Sequence, residues 1–418
     1  MLLLRSDRAW RLPRVTVPTT WFANAAVVSD AFAARLATPA WQLRQLAFDD
    51  GGAVLELDLP DGWGWAPPAH ARWAGPDELG TLRLRDEVHR PLLEAYLGEG
   101  EPPAERAPWA RRGWREEAVS WLEAELDRLG LALTGVEQVK QWSISTILRV
   151  RTDGPVLYLK ASARLPLFVD EGHLTAALAE RFPDAVPAPL AIHPEGWLLL
   201  EDFGEPAGWG APAAVRAEMF ARFARLQRES APLTDELLAA GCLDRRLPVL
   251  EAQLDALAGD AADITRLSEE EAETFRRRLP ELKDACRRLA ETGLPPTLVH
   301  GDLHLGNVAR PGRDLLFFDW TDACVSHPFI DLHTLQWERD EEARKVVLDA
   351  YLAEWAGVAS PEELRAAVRL AAVVTPLHHA VSYQTIATNV ERSGRPELDA
   401  AHEFLREALG KLQVLSDT

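Results

Sequence analysis

Three polar side chains near residue 300 have the types and spacing that phosphoryl transfer requires. Such a reaction needs a carboxylate to take or orient the proton of an attacking hydroxyl, oxygen ligands to hold Mg²⁺ against phosphates, and a cation to anchor the phosphate tail. In LVHGDLHLGN, Asp302 and Asn307 stand five residues apart in a loop that follows the short apolar run TLV. Asp319 ends the apolar strand LLFF, twelve residues beyond Asn307. A carboxylate at that strand end can ligate Mg²⁺, which prefers few protein oxygens together with phosphate oxygens, so one Asn and one Asp suffice.

The spacing matches the kinase loop in which the Asp is base and the Asn binds metal. HGDLHLGN followed by DWTDACVSHPFIDL resembles the two signature motifs of the aminoglycoside phosphotransferase and choline kinase-like family. Asp319-Trp320, Pro328 and Asp331-Leu332 fall at that family's offsets, and Ser326 stands where it often has Gly. The resemblance implies an α+β, protein-kinase-like bilobal fold, with a small β-rich N-lobe and a larger helical C-lobe. It implies ATP and Mg²⁺ as cofactors and a small-molecule hydroxyl acceptor such as an aminoglycoside, sugar or amino alcohol. It makes Asp302 the catalytic base, Asn307 and Asp319 the metal ligands, and Asp331 a structural acid under the loop, with His300 and His304 shaping that loop.

Upstream, Lys160 in the strand VLYLKAS is placed to pair with phosphates and with a helix glutamate, as on the third strand of kinases. Glu171 opens the next helix and is its partner. Asp170, one residue away at an uncertain helix start, is the competing candidate. WLLLEDFG resembles the family's hinge, where the backbone near Glu201, Asp202 and Phe203 would meet adenine. The glycine-rich phosphate loop of protein kinases is missing: QWSISTILRV offers Ser143, Ser145 and Thr146 instead. Backbone N–H groups and hydroxyls can still cradle phosphate. That departure supports the alternative of a nucleotide-binding pseudokinase or scaffold.

The elements around these residues follow from periodicity. VEQVKQW, STILRVRT and VLYLKAS read as strands, with a tight turn at RTDG. DEGHLTAALAERF reads as a helix, and WLLLEDF as a buried strand. From about residue 210 the chain reads as helical, with capping boxes at Ser268/Glu271 and Ser360/Glu363, and a β-rich interruption at Leu298–Asp319. On the C-terminal helix His379, Ser382, Tyr383 and Ile386 share a face, beside His378 and Gln384. The resemblance makes them acceptor-pocket candidates, and interhelical hydrogen bonding explains them equally well. Asp322, Glu338 and Asp340 could read a cationic acceptor or simply form a solvated acidic face.

Residues 1–100 read as an α+β accessory domain: LLLR at Leu2–Arg5 and AVLELDL at Ala53–Leu59 are strands, and Asp61–Pro76 is loop. This stretch resembles a degenerate Nudix fold. Val15–Leu36, where that chemistry needs several glutamates, has none and only Asp30, so an accessory, docking or lid role is expected in place of hydrolysis. Residues 101–130 read as linker and helix, 131–203 as the ATP-binding lobe and 204–418 as the helical lobe with the acceptor pocket. The family resemblance spans about residues 135–390.

Bulk composition agrees. Of 418 residues, 47% are apolar and 26% charged, ordinary for a globular protein. A net charge of −20 disfavours nucleic acid and anionic membranes as partners and suits a cationic acceptor, although solubility accounts for it as well. No run approaches the ~20 apolar residues of a membrane span, the N-terminal apolar run is short for a secretory signal, and Cys242, Cys286 and Cys324 lack metal-ligand spacing. A cytoplasmic location is expected.

Overall fold

The structure, a computed structural model, describes residues 1–416 except 7, 19–22, 50–51, 60–64, 209, 265 and 312–314. Residues 61–64 of the expected Asp61–Pro76 loop and 19–22 of the Val15–Leu36 stretch therefore lie outside the described residues. The chain forms two compact units: Met1–Ala163 with Val390–Pro396, and Arg164–Asn389 with Glu397–Thr418. The boundaries drawn from composition at 100 and 131 fall within the first unit.

The first unit runs β1 (Leu2–Ser6), β2 (Ala9–Arg11), α1 (Ala25–Leu36), β3 (Trp41–Asp49), β4 (Gly52–Asp58), β5 (Ala71–Trp73), α2 (Pro76–Leu79), α3 (Arg90–Leu97), α4 (Trp114–Leu129), β6 (Leu133–Gln141), β7 (Ser145–Thr152) and β8 (Leu157–Ser162). β2-β1-β5 form one antiparallel sheet, β3-β4 a hairpin, and β6-β7-β8 an antiparallel meander. α4 buries Trp114, Ala118, Leu122 and Leu126, the one-stripe spacing of an amphipathic helix, and ends at Gly130, whose left-handed φ of 73° makes the C-cap. Along β7, Leu148 and Val150 point into the core while Arg151 bonds Glu137 across the pair.

Side-chain amides join β3 to β6. The Gln42 N–H donates to Gln138 Oε1 at 2.8 Å, Gln138 Nε2 donates back to the Gln42 carbonyl at 2.8 Å, and Gln141 Nε2 donates to the Leu43 carbonyl at 2.8 Å. A buried amide offers both donor and acceptor, so it can replace a backbone ladder. Nearby, Glu391 takes bonds from Arg44 (2.6 Å) and Arg106 (2.8 and 3.0 Å), while Arg44 also bonds Glu56 and Glu99. Burial opposes the Arg106 charge, but its bonds to Glu391 and Glu99 outweigh it and raise its pKa.

The second unit continues with α5 (Glu171–Arg181), β9 (Ala191–Ile192), β10 (Leu198–Glu201), α6 (Ala213–Ser230), α7 (Thr234–Ala239), β11 (Leu243–Asp244), α8 (Leu247–Ile264), α9 (Glu269–Ala290), β12 (Thr297–Val299), β13 (Val308–Ala309), β14 (Leu316–Phe317), β15 (Cys324–Ser326), α10 (Glu341–Ala353), α11 (Pro361–Asn389) and α12 (Ala401–Ser416). β11-β15-β12 form a small sheet and β13-β14 a hairpin. One core runs through the helices and these strands, with Phe223, Phe317, Trp320, Phe329 and Tyr351 fully buried. Both expected capping boxes are formed: Ser268 with Glu271 and Ser360 with Glu363 exchange bonds between side chain and backbone. Among the described residues no helix is long and apolar enough to cross a membrane.

Candidate active site

The loop between β12 and β13 carries Asp302 and Asn307. Buried Asp331 holds it from beneath: Oδ1 accepts from the Gly301 N–H (3.0 Å), and Oδ2 from the His300 N–H (3.0 Å) and Gln227 Nε2 (2.9 Å). Burial pushes the Asp331 carboxyl up to about 7, against the three donors that favour its charge. Tyr351 Oη donates to Gln227 Oε1 at 2.6 Å and fixes that amide in turn.

Gly301 has φ 82°, and a Cβ there would lie 2.3 Å from the Asp322 carbonyl oxygen. Gly301→Ala is therefore expected to cost about 3 kcal/mol, combining left-handed strain with overpacking. Urea denaturation checks this, and a loss below ~1 kcal/mol would mean that the loop yields freely.

His300 is fully buried against Trp320, with ring centroids 4.6 Å apart. Burial lowers its pKa to about 4, so the ring is neutral. Its Nε2–H donates to the Phe318 carbonyl (3.0 Å), and its Nδ1 faces the Asp302 N–H at 3.4 Å. His304 Nδ1 accepts from the Gly306 N–H (2.9 Å), which turns its Nε2 toward Asp302 Oδ2 at 3.4 Å. Asn307 Nδ2 donates to the Asp302 carbonyl (3.0 Å) and to Asp302 Oδ2 (3.2 Å), leaving the amide oxygen directed elsewhere. The Asp302 side chain is 51% exposed. Enclosure by protein works to raise its pKa, but the hydrogen bond from His304 prevails and holds it below the usual carboxylate value.

Asp319 adjoins this loop, because the Phe318 N–H donates to the Asn307 carbonyl at 3.1 Å. Its backbone is left-handed, φ 66°, a region that Asp tolerates better than most residues. Glu171 is buried, with Oε1 accepting from the Trp320 N–H (3.2 Å). The Thr321 hydroxyl lies 3.0 Å from Glu171 Oε2 and 3.2 Å from Asp319 Oδ1, so it links the two acids. Asp170 is the N-cap of α5, partly exposed and bonded to the His173 N–H. No spacing rule marks Thr321 or Gln227 in the sequence.

At the end of β10, Glu201 and Asp202 are exposed, Phe203 packs on Phe318 at 5.0 Å, and the Asp202 side chain accepts from the Gly204 N–H. The following residues lie on the loop: the Ala207 and Gly208 N–H groups donate to the Val308 and Leu305 carbonyls.

Ser143, Ser145 and Lys160 belong to the first unit. Lys160 is buried on β8, opposite Ile147 of β7. Ser145 Oγ, also buried, accepts from Trp142 Nε1 at 2.7 Å. Ser143 is at the tip of the β6-β7 turn. Among the described residues, the backbone N–H groups of Ser143 and Ile144 donate to no protein group.

On α11, His378 and Ser382 are bound by buried Arg245 at 2.8 and 2.7 Å, while His379 and Tyr383 pack on Phe404. Asp340 caps α10 and Glu338 pairs with Arg216. That pair borders a cavity of about 330 Å³ also lined by His304, Leu305, Phe220 and Trp337.

The fold is kinase-like. The structure resembles a choline/ethanolamine kinase family protein from Mesorhizobium loti, with TM-score 0.50 and 18% identity over 72% of this chain and 99% of that one. It also resembles APH(2")-IIia in complex with GDP and kanamycin, with TM-score 0.51 and 16% identity over 70% and 98%. At these identities the likeness establishes the fold. No curated protein sequence matches the chain. Residues 136–367, more than half of the chain, match the phosphotransferase enzyme family (APH). The chain belongs to that family, which makes it a small-molecule kinase.

Proposed function

We propose that the chain transfers the γ-phosphoryl group of ATP to a hydroxyl of a small molecule, with Asp302 as base. One observation carries the reading: a half-exposed Asp302 carboxylate, held ionised, is fixed by Asn307 and His304 on a loop anchored by Asp331 and bordered by Asp319. Asn307 and Asp319 suit Mg²⁺, since their donor set is all oxygen and Asn307 spends its N–H on Asp302. The metal, when bound, would neutralise charge on the phosphates. The absence of a cluster of three or more acidic, His or Cys side chains among the described residues is compatible with this, because Mg²⁺ uses phosphate oxygens for the rest.

Asp302 orients the acceptor hydroxyl and takes its proton. His304 and Asn307 both hold Asp302 in place through its Oδ2. Lys160 is assigned to the phosphates, with Glu171 as its acid. The Ser143 and Ile144 N–H groups are the phosphate-loop donors, while Ser145 steadies the turn through Trp142. The hinge backbone at Glu201–Phe203 takes the base. The cavity beside His304, with its mixed apolar and charged lining, fits a compact polar acceptor. The buried free thiols of Cys242, Cys286 and Cys324 suit a reducing, cytoplasmic setting.

Thermal melting with saturating nucleotide tests the proposal. MgATP at about 100 times its Kd should raise the melting temperature by roughly 5 °C, and chelating the metal should abolish the shift. MgGTP in parallel decides the nucleotide preference. No shift with either would bring the pseudokinase alternative forward.

A further inference from the structure

The turn Trp142–Ser145 lacks the glycines that let a phosphate loop adapt to its ligand, yet its backbone is tied down at nearly every position from within the first unit. The Gln141 N–H donates to the Ala23 carbonyl at 2.9 Å, and Trp109 Nε1 to the Trp142 carbonyl at 2.7 Å. The Trp142 N–H donates to the Ser145 carbonyl at 3.1 Å, and the Ala163 N–H to the Ile144 carbonyl at 2.9 Å. Among the described residues the N–H groups of Ser143 and Ile144 donate to no protein group.

The tip is also backed by a segment distant in sequence. Gly394, in the 390–396 segment, approaches so closely that a Cβ there would lie 1.8 Å from Ser143 Oγ and 2.9 Å from its Cβ. Glu391, three residues earlier, anchors that segment to Arg44 of β3 and to Arg106, three residues before Trp109. Glycine is thus present at this loop, but it is supplied by a neighbouring strap in place of the loop itself.

We infer that residues 390–396, held by the Arg44/Arg106–Glu391 cluster, form the rear wall of the phosphate loop, and that Gly394 and Glu391 are positioning residues for the nucleotide's phosphates. The N-terminal region is then part of the nucleotide site: the Ala23 carbonyl ahead of α1, β3 and Trp109 fix the loop and the strap backs its tip. This rests on the reading of Trp142–Ser145 as the phosphate loop. The donor geometry is set in advance by packing, where a glycine-rich loop would set it on binding, so phosphate affinity becomes sensitive to a methyl group added behind the loop.

The test compares MgATP with adenosine, which lacks phosphates, by calorimetry and competition on the full chain. Gly394→Ala should weaken MgATP by about tenfold and leave adenosine within about twofold, and this penalty should vanish in a Ser143→Gly background, where the added methyl has room. Glu391→Gln, which keeps the side-chain shape, should weaken MgATP by about threefold with the same selectivity. If Gly394→Ala fails to fold, the ratio of MgATP to adenosine affinity in Glu391→Gln decides alone. Unchanged MgATP binding in these variants, an equal loss of adenosine, or a penalty that persists in the Ser143→Gly background would overturn the inference. A wild-type chain that binds no MgATP sinks the nucleotide reading and this one with it. Wild-type binding with unaffected variants sinks only this one.

Discussion

Asp302→Asn should reduce turnover by about 10³-fold while leaving the melting temperature and nucleotide affinity close to wild type. The amide keeps the shape of the side chain and can still accept from Asn307, and the Asn307 bond to the residue 302 carbonyl is untouched. Only proton acceptance is lost. Until an acceptor is identified, slow nucleotide hydrolysis, with water in place of the hydroxyl, reports the same step. Turnover within about threefold of wild type would remove Asp302 from the base role.

The pH profile adds a second readout. Asp302 has its pKa depressed, so the ionised form persists below the ordinary carboxylate range. An acid limb near neutrality therefore belongs to another group. For stability the sign is that of a depressed acid: its contribution is present above the unfolded pKa and is lost as pH falls through the folded value.

Asp319→Asn should weaken magnesium-dependent nucleotide binding and kcat/KM by about 100-fold, because one of the two proposed oxygen ligands loses its charge. Asparagine is the better replacement than alanine here, since residue 319 sits at φ 66°, which Asn tolerates. The Thr321 hydroxyl can still bond its carbonyl oxygen, so the link to Glu171 survives. A magnesium-dependent melting shift that persists in the variant would place the metal elsewhere. A wild-type chain with no shift would make the protein a scaffold that keeps the acids of a kinase without its nucleotide.

The sequence by itself determined the parts of the site that depend on short-range spacing. Asp302 and Asn307 share one loop, so five residues of separation nearly settle that their side chains meet, at 3.2 Å. The same holds for the strands of the β6-β7-β8 meander, whose alternation and turn are local, and for the capping boxes, whose partners are three residues apart. The sequence favours Glu171 over Asp170 by only one residue at a helix start. In the structure, residue 170 faces outward as a cap and residue 171 inward toward Trp320 and Thr321.

Only the tertiary structure decided the partners separated by a hundred residues or more. Thr321 joins Glu171 to Asp319, Gln227 reaches Asp331, Arg245 claims His378 and Ser382, and Glu391 joins arginines near the N-terminus. The physical reason is that a buried hydroxyl, amide or guanidinium must find a partner but carries no information about which one. Periodicity states which face of an element is buried, and packing then selects what that face meets.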